Sequence, residues 1–176
     1  MTRLSDMSDT RRSDYDVTNT VQVSSPKAVR EAIGELFKSS WPGTSFDVVA
    51  RAVEDLDALF AGRMPGYYGV DTVYHDRQHT LDMTLAMARL MAGYERLHAG
   101  DDALGGERAT MGLVTSLFHD AGYIRETADR DHRNGAEFTL YHVTRSARFI
   151  ARYLPTVGLE SWAPIATRIV HFTGYE

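Results

Sequence analysis

The sequence predicts an all-α fold, a bundle of about six helices in a single domain. Apolar residues recur every three or four positions over several long stretches, which is the period of a helix packed on one side. No stretch sustains the alternation of apolar and polar residues that is typical of a half-buried strand. Breaks containing glycine and proline separate the helical stretches, as they do between the helices of a bundle.

The first three helices are predicted from start and stop signals together with apolar spacing. Ser25 and Pro26 predict the start of the first helix, because serine caps helix N-termini and proline suits the first helical position. The Trp-Pro-Gly sequence at 41–43 predicts its end. A second helix is predicted from about Ser45 to Ala61 and a third from His75 to about His98, each with a continuous apolar side.

The last three helices are separated by polar connections. A short helix is predicted from Arg108 to His119, and the charged segment 124–133 that follows is predicted to be a solvated loop. A fifth helix is predicted from Asn134 to Leu154, because Pro155 cannot continue it. A sixth is predicted from about Ser161 to Phe172.

Composition separates a polar N-terminal segment from the folded domain. Residues 1–24 are rich in Ser, Thr, Asp and Arg and have no helical period, which predicts a disordered tail. Residues 25–176 are then expected to form one domain, because a chain of 176 residues is too short for two full ones.

Composition also excludes several classes of protein. A net charge of -5 leaves no general basic surface for nucleic acid, and the absence of cysteine excludes disulfides, thiolate zinc sites and a cysteine nucleophile. No apolar run approaches the roughly 18–20 residues that span a bilayer, and the N-terminus lacks the apolar core of a signal peptide. We therefore expect a cytoplasmic protein without a nucleic-acid or membrane partner.

Two motifs carry the candidate chemistry. In the first, His75 and His79 are four residues apart, so both imidazoles would lie on one face of a helix, with Asp82 on the same side. In the second, His119 and Asp120 follow apolar residues, and burying such a pair is costly unless it is hydrogen-bonded or binds a ligand. Simpler alternatives remain open: a polar surface helix for the first motif and a helix C-cap for the second.

Together the two motifs resemble the HD-domain metal-dependent phosphohydrolase superfamily. The cyclic-nucleotide phosphodiesterases in particular have Tyr-His-Asn, two residues, His, two residues and Asp. This chain has that register from Tyr74 to Asp82, with Asp76 in place of the Asn. The His-Asp pair that follows later in the phosphodiesterases is matched here by His119 and Asp120. The resemblance runs from about Tyr74 to the C-terminus, and it implies an HD-domain-like helical bundle.

The resemblance also implies roles for individual residues. His79, His119 and Asp120 would ligate a first divalent metal ion. His75 and Asp120 would be the catalytic residues, and His75 would protonate the leaving oxygen. Asp82 would not bind the metal itself but would orient one of its ligands.

The resemblance implies a second metal ion as well, since many members of the superfamily have two further histidines. His142 and His171 are the candidates for these ligands. A buried core histidine is the alternative for His142, and a helix cap is the alternative for His171. His132 and His98 are expected at the surface.

One feature departs from the superfamily pattern, which closes with an Asp ligand on a later helix. The last aspartate of this chain is Asp131, so no counterpart follows His171. We therefore expect the sequence to be truncated at the C-terminal end of the domain.

The function implied by the resemblance is hydrolysis of a phosphate ester, of a nucleotide or a related small molecule. One or two divalent ions would be needed, and a ligand set of imidazole and carboxylate admits Mn, Fe, Mg, Zn, Co or Ni. Arg77 would either contact the phosphate or point to solvent. A di-iron oxygenase and a non-catalytic module that binds a nucleotide or a partner are the alternatives, and a homodimer is left open.

Overall fold

A computed structural model of the chain describes residues 13–174. Within them the fold is all-helical and has no strand, so the predicted all-α bundle of about six helices is confirmed. Short 3₁₀ turns connect or extend several of the helices. The six α-helices are α1 (Pro26–Ser40), α2 (Asp47–Phe60), α3 (Arg77–Leu97), α4 (Gly106–Leu117), α5 (His142–Tyr153) and α6 (Ala163–Ile169).

The central helices are α3 and α4. Helix α3 packs against both α1 and α4, α2 packs against α4, and α5 packs against α6. Their apolar sides form one continuous core, which includes fully buried Leu81 and Leu85 of α3 and Leu113 and Leu117 of α4. Each such leucine contributes about 1.5–3 kcal/mol through burial. This packing holds the start of α3 beside the end of α4.

The start of α3 differs from the prediction. Its N-cap is Asp76, whose carboxylate accepts a hydrogen bond from the backbone N–H of His79 at 2.7 Å. Aspartate is among the best N-cap residues, so the helix begins at Arg77 and His75 lies in the turn before it. The prediction that His75 and His79 share one helical face is therefore wrong, although the turn still brings them together.

The ends of the other helices also differ from the sequence prediction. Helix α4 ends at Leu117, so His119 and Asp120 lie in the turn that follows it. The predicted helix 134–154 is a 3₁₀ turn, Gly135–Phe138, followed by α5. That turn is fixed by Glu137, whose carboxylate accepts the backbone N–H of Arg133 at 2.7 Å and of Asn134 at 3.1 Å.

The described part of the predicted disordered tail, residues 13–24, is folded against the bundle. Buried Asp16 accepts the backbone N–H of Val21 at 2.7 Å and pairs with Arg89 of α3 at 2.8 Å. Hydrogen bonds from Thr18 and these other groups hold the pKa of Asp16 far below its usual range, against the opposing effect of burial. Val23, 2% exposed, belongs to the core. Residues 1–12 of the predicted tail lie outside the described residues.

Among the described residues, no helix has both the length and the apolar character needed to cross a membrane.

Candidate metal centre

The two motifs meet at the side chain of Asp120, which is only 3% exposed. Its Oδ2 lies 2.8 Å from Nδ1 of His75, 3.5 Å from Nε2 of His79 and 3.2 Å from Nε2 of His119. Three imidazoles therefore surround one carboxylate oxygen. They come from the turn before α3, the first turn of α3 and the turn after α4.

This cluster has the composition and spacing of a metal site. His75, His79 and Asp120 each offer one ligand atom, and these atoms lie within 4.8 Å of one another. His119 is not in that mutually close group of three, but its Nε2 is nearer to Asp120 than that of His79. We therefore treat His119 as a fourth donor at the same centre. The resemblance assigned His75 to proton transfer, whereas in the structure its ring lies among the candidate ligand atoms.

The tautomer of His119 is fixed by its second nitrogen. Nδ1 lies 2.7 Å from the carbonyl oxygen of Ser116, which can only accept, so Nδ1 must donate. In a neutral His119 the lone pair of Nε2 would then lie beside a carboxylate oxygen 3.2 Å away. Two acceptors at that distance repel unless a cation, either a proton or a metal ion, lies between them. A histidine oriented by a backbone carbonyl is the usual arrangement in metal sites.

The pKa shifts of His119 and Asp120 also indicate that positive charge is favoured between them. Burial lowers the pKa of His119, but the hydrogen bond and charge of Asp120 and the Ser116 carbonyl outweigh it, so the net shift is upward. Burial raises the pKa of Asp120, yet hydrogen bonds and charges from His119 and His75 bring it down to about 2. The carboxylate is therefore ionised at neutral pH and favours a cation beside it.

His142 lies next to the cluster. Its ring stacks on Tyr123 with a centroid distance of 4.3 Å, and Tyr123 stacks on His75 at the same distance. Nδ1 of His142 donates to the carbonyl oxygen of Thr139 at 2.8 Å, a carbonyl anchor like that of His119. The structure thus brings His142 within 6.0 Å of His75, centroid to centroid. Its role as a ligand of a second metal ion stays a prediction.

Tyr123 is the residue at this site that the sequence reasoning missed. It is 3% exposed and forms the contact between two histidines from different elements. The available signal was an aromatic residue directly after Gly122, in an otherwise charged segment.

His171 lies apart from the cluster, so its role as a metal ligand stays a prediction that the structure does not support. It is exposed, whereas its neighbour Val170 is fully buried. The helical turn at 170–173 directs Val170 and Thr173 to the cavity beside the cluster, and His171 lies on the other side of that turn. Burial of the valine fixes this rotation.

Other residues singled out from the sequence also lie apart from the cluster. Arg77 pairs with Asp57 of α2 rather than with anything near the site. Among the described residues Asp82 makes no hydrogen bond or ion pair, so the orienting role suggested for it has no support. His98 is exposed, as expected, and its ring stacks on that of Tyr94.

His132 is only partly exposed, unlike the solvent-exposed residue expected from its charged surroundings. Its Nδ1 lies 2.9 Å from Asp129, and its Nε2 lies 2.9 Å from the hydroxyl of Tyr141. These contacts hold it within its own loop.

The cluster lies in a cavity of about 370 Å³. Apolar side chains of α3 and α6, including Met83, Met87 and Ile169, form much of the wall, and Tyr74 lines it beside His75 and His79. Among the described residues that line it there is no lysine or arginine. A bound anion would therefore depend on a cation held at the cluster.

Comparisons of the chain with protein-family models, with curated proteins and with solved structures find no match in any of the three. The resemblance to the HD-domain superfamily therefore rests on the two motifs. The case for a metal centre rests on the geometry of the cluster.

Proposed function

We propose that this chain is a metal-dependent hydrolase that cleaves a phosphate ester of a small molecule. The observation that carries the proposal is the convergence of three imidazole nitrogens within 3.5 Å of one buried carboxylate oxygen. The cluster opens into a cavity large enough for a small-molecule substrate.

The donor set fits a divalent cation. His79, His119 and Asp120 are the proposed ligands, and the 3.2 Å between Nε2 of His119 and the Asp120 carboxylate supports a cation between them. Imidazole and carboxylate donors without thiolate suit Mn, Fe, Co, Ni or Zn, and Mg where more oxygen ligands join. A divalent ion bound there supplies an activated water nucleophile and offsets the charge that develops on the phosphoryl oxygens.

The residues of the chain hold the substrate and move the proton. His75 is the proposed general acid, because it reaches the cavity and its hydrogen bond to Asp120 and its stacking on Tyr123 fix the ring. Its position among the ligand atoms allows the other role, that of a metal ligand. Met83 and Met87 form an apolar wall for the organic group of the ester, for which a nucleoside is our proposal.

The test is metal content together with hydrolysis of bis(p-nitrophenyl) phosphate, on protein purified without a metal-affinity tag. Stoichiometric metal and metal-dependent release of nitrophenol are expected. Iron-loaded protein that consumes oxygen and does not hydrolyse the ester would support a di-iron oxygenase instead. Tight nucleotide binding without turnover, with any of the six metals, would indicate a binding module.

A variant of His75 separates its two candidate roles. His75→Gln is expected to keep the metal and lose about 10²–10⁴-fold in turnover if the imidazole acts as the general acid. Loss of the metal in this variant would assign His75 as a ligand. His98→Gln, at an exposed histidine that belongs to neither motif, serves as the matched control.

A further inference from the structure

A second cavity borders the segment that directly follows Asp120. It has a volume of about 220 Å³, and Ala121, Gly122 and Ile124 form one of its walls. It shares no lining residue with the cavity of the histidine cluster. The chemistry of its walls is therefore independent of the proposed metal site.

A row of arginines on α5 also lines this second cavity. Arg145, Arg148 and Arg152 are spaced three and four residues apart, so they lie along one face of the helix. Glu126 is the only carboxylate among the described lining residues, which leaves two more positive charges than negative ones. This excess occurs in a chain whose net charge is -5.

Two of these arginines are held in place by the surrounding structure. Nε of Arg145 donates to the carbonyl oxygen of Gly122 at 2.7 Å, and its guanidinium lies 3.7 Å from the ring centroid of Phe138. Arg152 donates to Glu126 at 3.1 Å and to the hydroxyl of Tyr67 at 3.2 Å. The position of Arg145 is therefore set before any ligand arrives, which lowers the entropic cost of binding. Arg152, whose side chain is 59% exposed, is held more loosely.

Arg148 differs from its two neighbours. It is exposed at the cavity, and within residues 13–174 no carboxylate or carbonyl is placed to accept from it. Its guanidinium offers five N–H donors in a planar fork, which matches the oxygens of a phosphate group. Charge-assisted bonds of this kind are stronger than neutral ones.

We propose that this arginine cavity binds a phosphate group, either inorganic phosphate or the phosphate of a mononucleotide. Arg148 supplies the main contacts, while Arg145 and Arg152 supply fixed positive charge. The volume of about 220 Å³ accommodates a phosphate with bound water and is below that of most drug-sized ligand pockets. The proposal does not rest on the hydrolase function, because it uses none of the residues of the metal centre.

The test is calorimetric titration of the full chain with inorganic phosphate and, separately, with AMP, at constant ionic strength. A chelator in the buffer removes divalent ions, so that phosphate cannot report on the metal centre. Saturable binding of phosphate is expected, and Arg148→Gln should weaken it about tenfold or more. Tighter binding of AMP than of phosphate would identify a mononucleotide as the source of the group, and equal binding would identify phosphate alone.

Two charge-matched pairs of variants complete the test. Arg96→Gln removes the same charge from an exposed site on α3 and should leave phosphate affinity within about twofold of wild type. Glu126→Gln should tighten binding severalfold, whereas Glu160→Gln, at an exposed position, should not. Absence of saturable binding, or equal losses in Arg148→Gln and Arg96→Gln, would overturn the proposal.

Discussion

The two cavities that border the segment 120–124 have opposite electrostatic requirements. The cavity of the histidine cluster gathers lone pairs around the Asp120 carboxylate, and no lysine or arginine is among its described lining residues. The arginine cavity, which Ala121 helps to line, gathers three guanidinium groups and one carboxylate. One is arranged to hold a cation and the other an anion.

The segment 120–124 achieves this by using side chain and backbone for different purposes. The Asp120 side chain enters the histidine cluster, while the carbonyl oxygens of Gly122 and Ile124 accept hydrogen bonds from Arg145. The N–H of Gly122 donates to Ser146 on the same helix. One short turn thus borders two cavities of opposite charge, and its anchored backbone holds both in place. The variants below test this difference.

Asp120→Asn should have the largest effect, because it removes the charge around which the histidine cluster is built. Metal content should fall from stoichiometric to trace, and hydrolysis should fall by more than about 10²-fold. Elemental analysis and the chromogenic ester assay measure the two effects. Asp131→Asn, at an exposed aspartate, is the control and should keep full metal content. Full metal occupancy in Asp120→Asn would refute the centre.

Gly122→Ala should disturb both cavities at once. A Cβ at this position would overlap the carbonyl oxygen of His142 and come within 2.8 Å of the backbone nitrogen of Ser146. The backbone cannot yield as a flexible side chain would, so we expect destabilisation by about 3 kcal/mol or more, measured by denaturant unfolding. Gly43→Ala is the control, since nothing lies within 4 Å of its added Cβ. Equal stability of the two variants would contradict this role of Gly122.

His119→Ala and His171→Ala separate the histidine that the structure brings to the cluster from the one that it does not. His119→Ala should weaken metal binding by about 10–100-fold or more, because it removes a donor 3.2 Å from the Asp120 carboxylate. His171→Ala should leave affinity unchanged, since this residue is exposed outside the cavity. Titration with a fluorescent metal competitor measures both. A larger loss in His171→Ala would reverse the assignment.

The sequence predicted the features that depend on local signals. The all-α class follows from periodicity, and the start of α1 follows from the Ser25 cap, whose hydroxyl accepts from the N–H of Ala28 at 3.3 Å. The resemblance carried by the two motifs also placed His79 and Asp120 in one site, although each motif alone left a simpler alternative open.

What the sequence could not predict depends on competition between neighbours or on distant residues. Asp76 takes the cap of α3 and moves His75 out of the helix. Burial of Val170 turns His171 to solvent. The arginine cavity combines Tyr67, from the loop after α2, with residues more than fifty positions later. No local pattern reports such an arrangement.

Ser146→Ala is the mildest of these changes, because it loosens the turn 120–124 between the two cavities without altering a charged group. The hydroxyl of buried Ser146 accepts the N–H of Gly122 at 2.9 Å, and its loss leaves that N–H buried without an acceptor. We expect a loss of about 1–3 kcal/mol in the free energy of unfolding. Ser39→Ala, whose hydroxyl bonds Leu36 at an exposed position, should cost less than about 0.5 kcal/mol.

Metal affinity and phosphate affinity of Ser146→Ala then decide whether the anchor serves both sites. A parallel decrease in the two affinities would show that the backbone of 120–124 positions the Asp120 side chain and the arginine contacts together. A decrease in metal affinity alone would mean that the arginines of α5 keep their positions without the anchored turn. The turn would then depend on α5, while α5 would not depend on the turn. Arg145 would then keep its position through its contact with the Phe138 ring, without help from the turn.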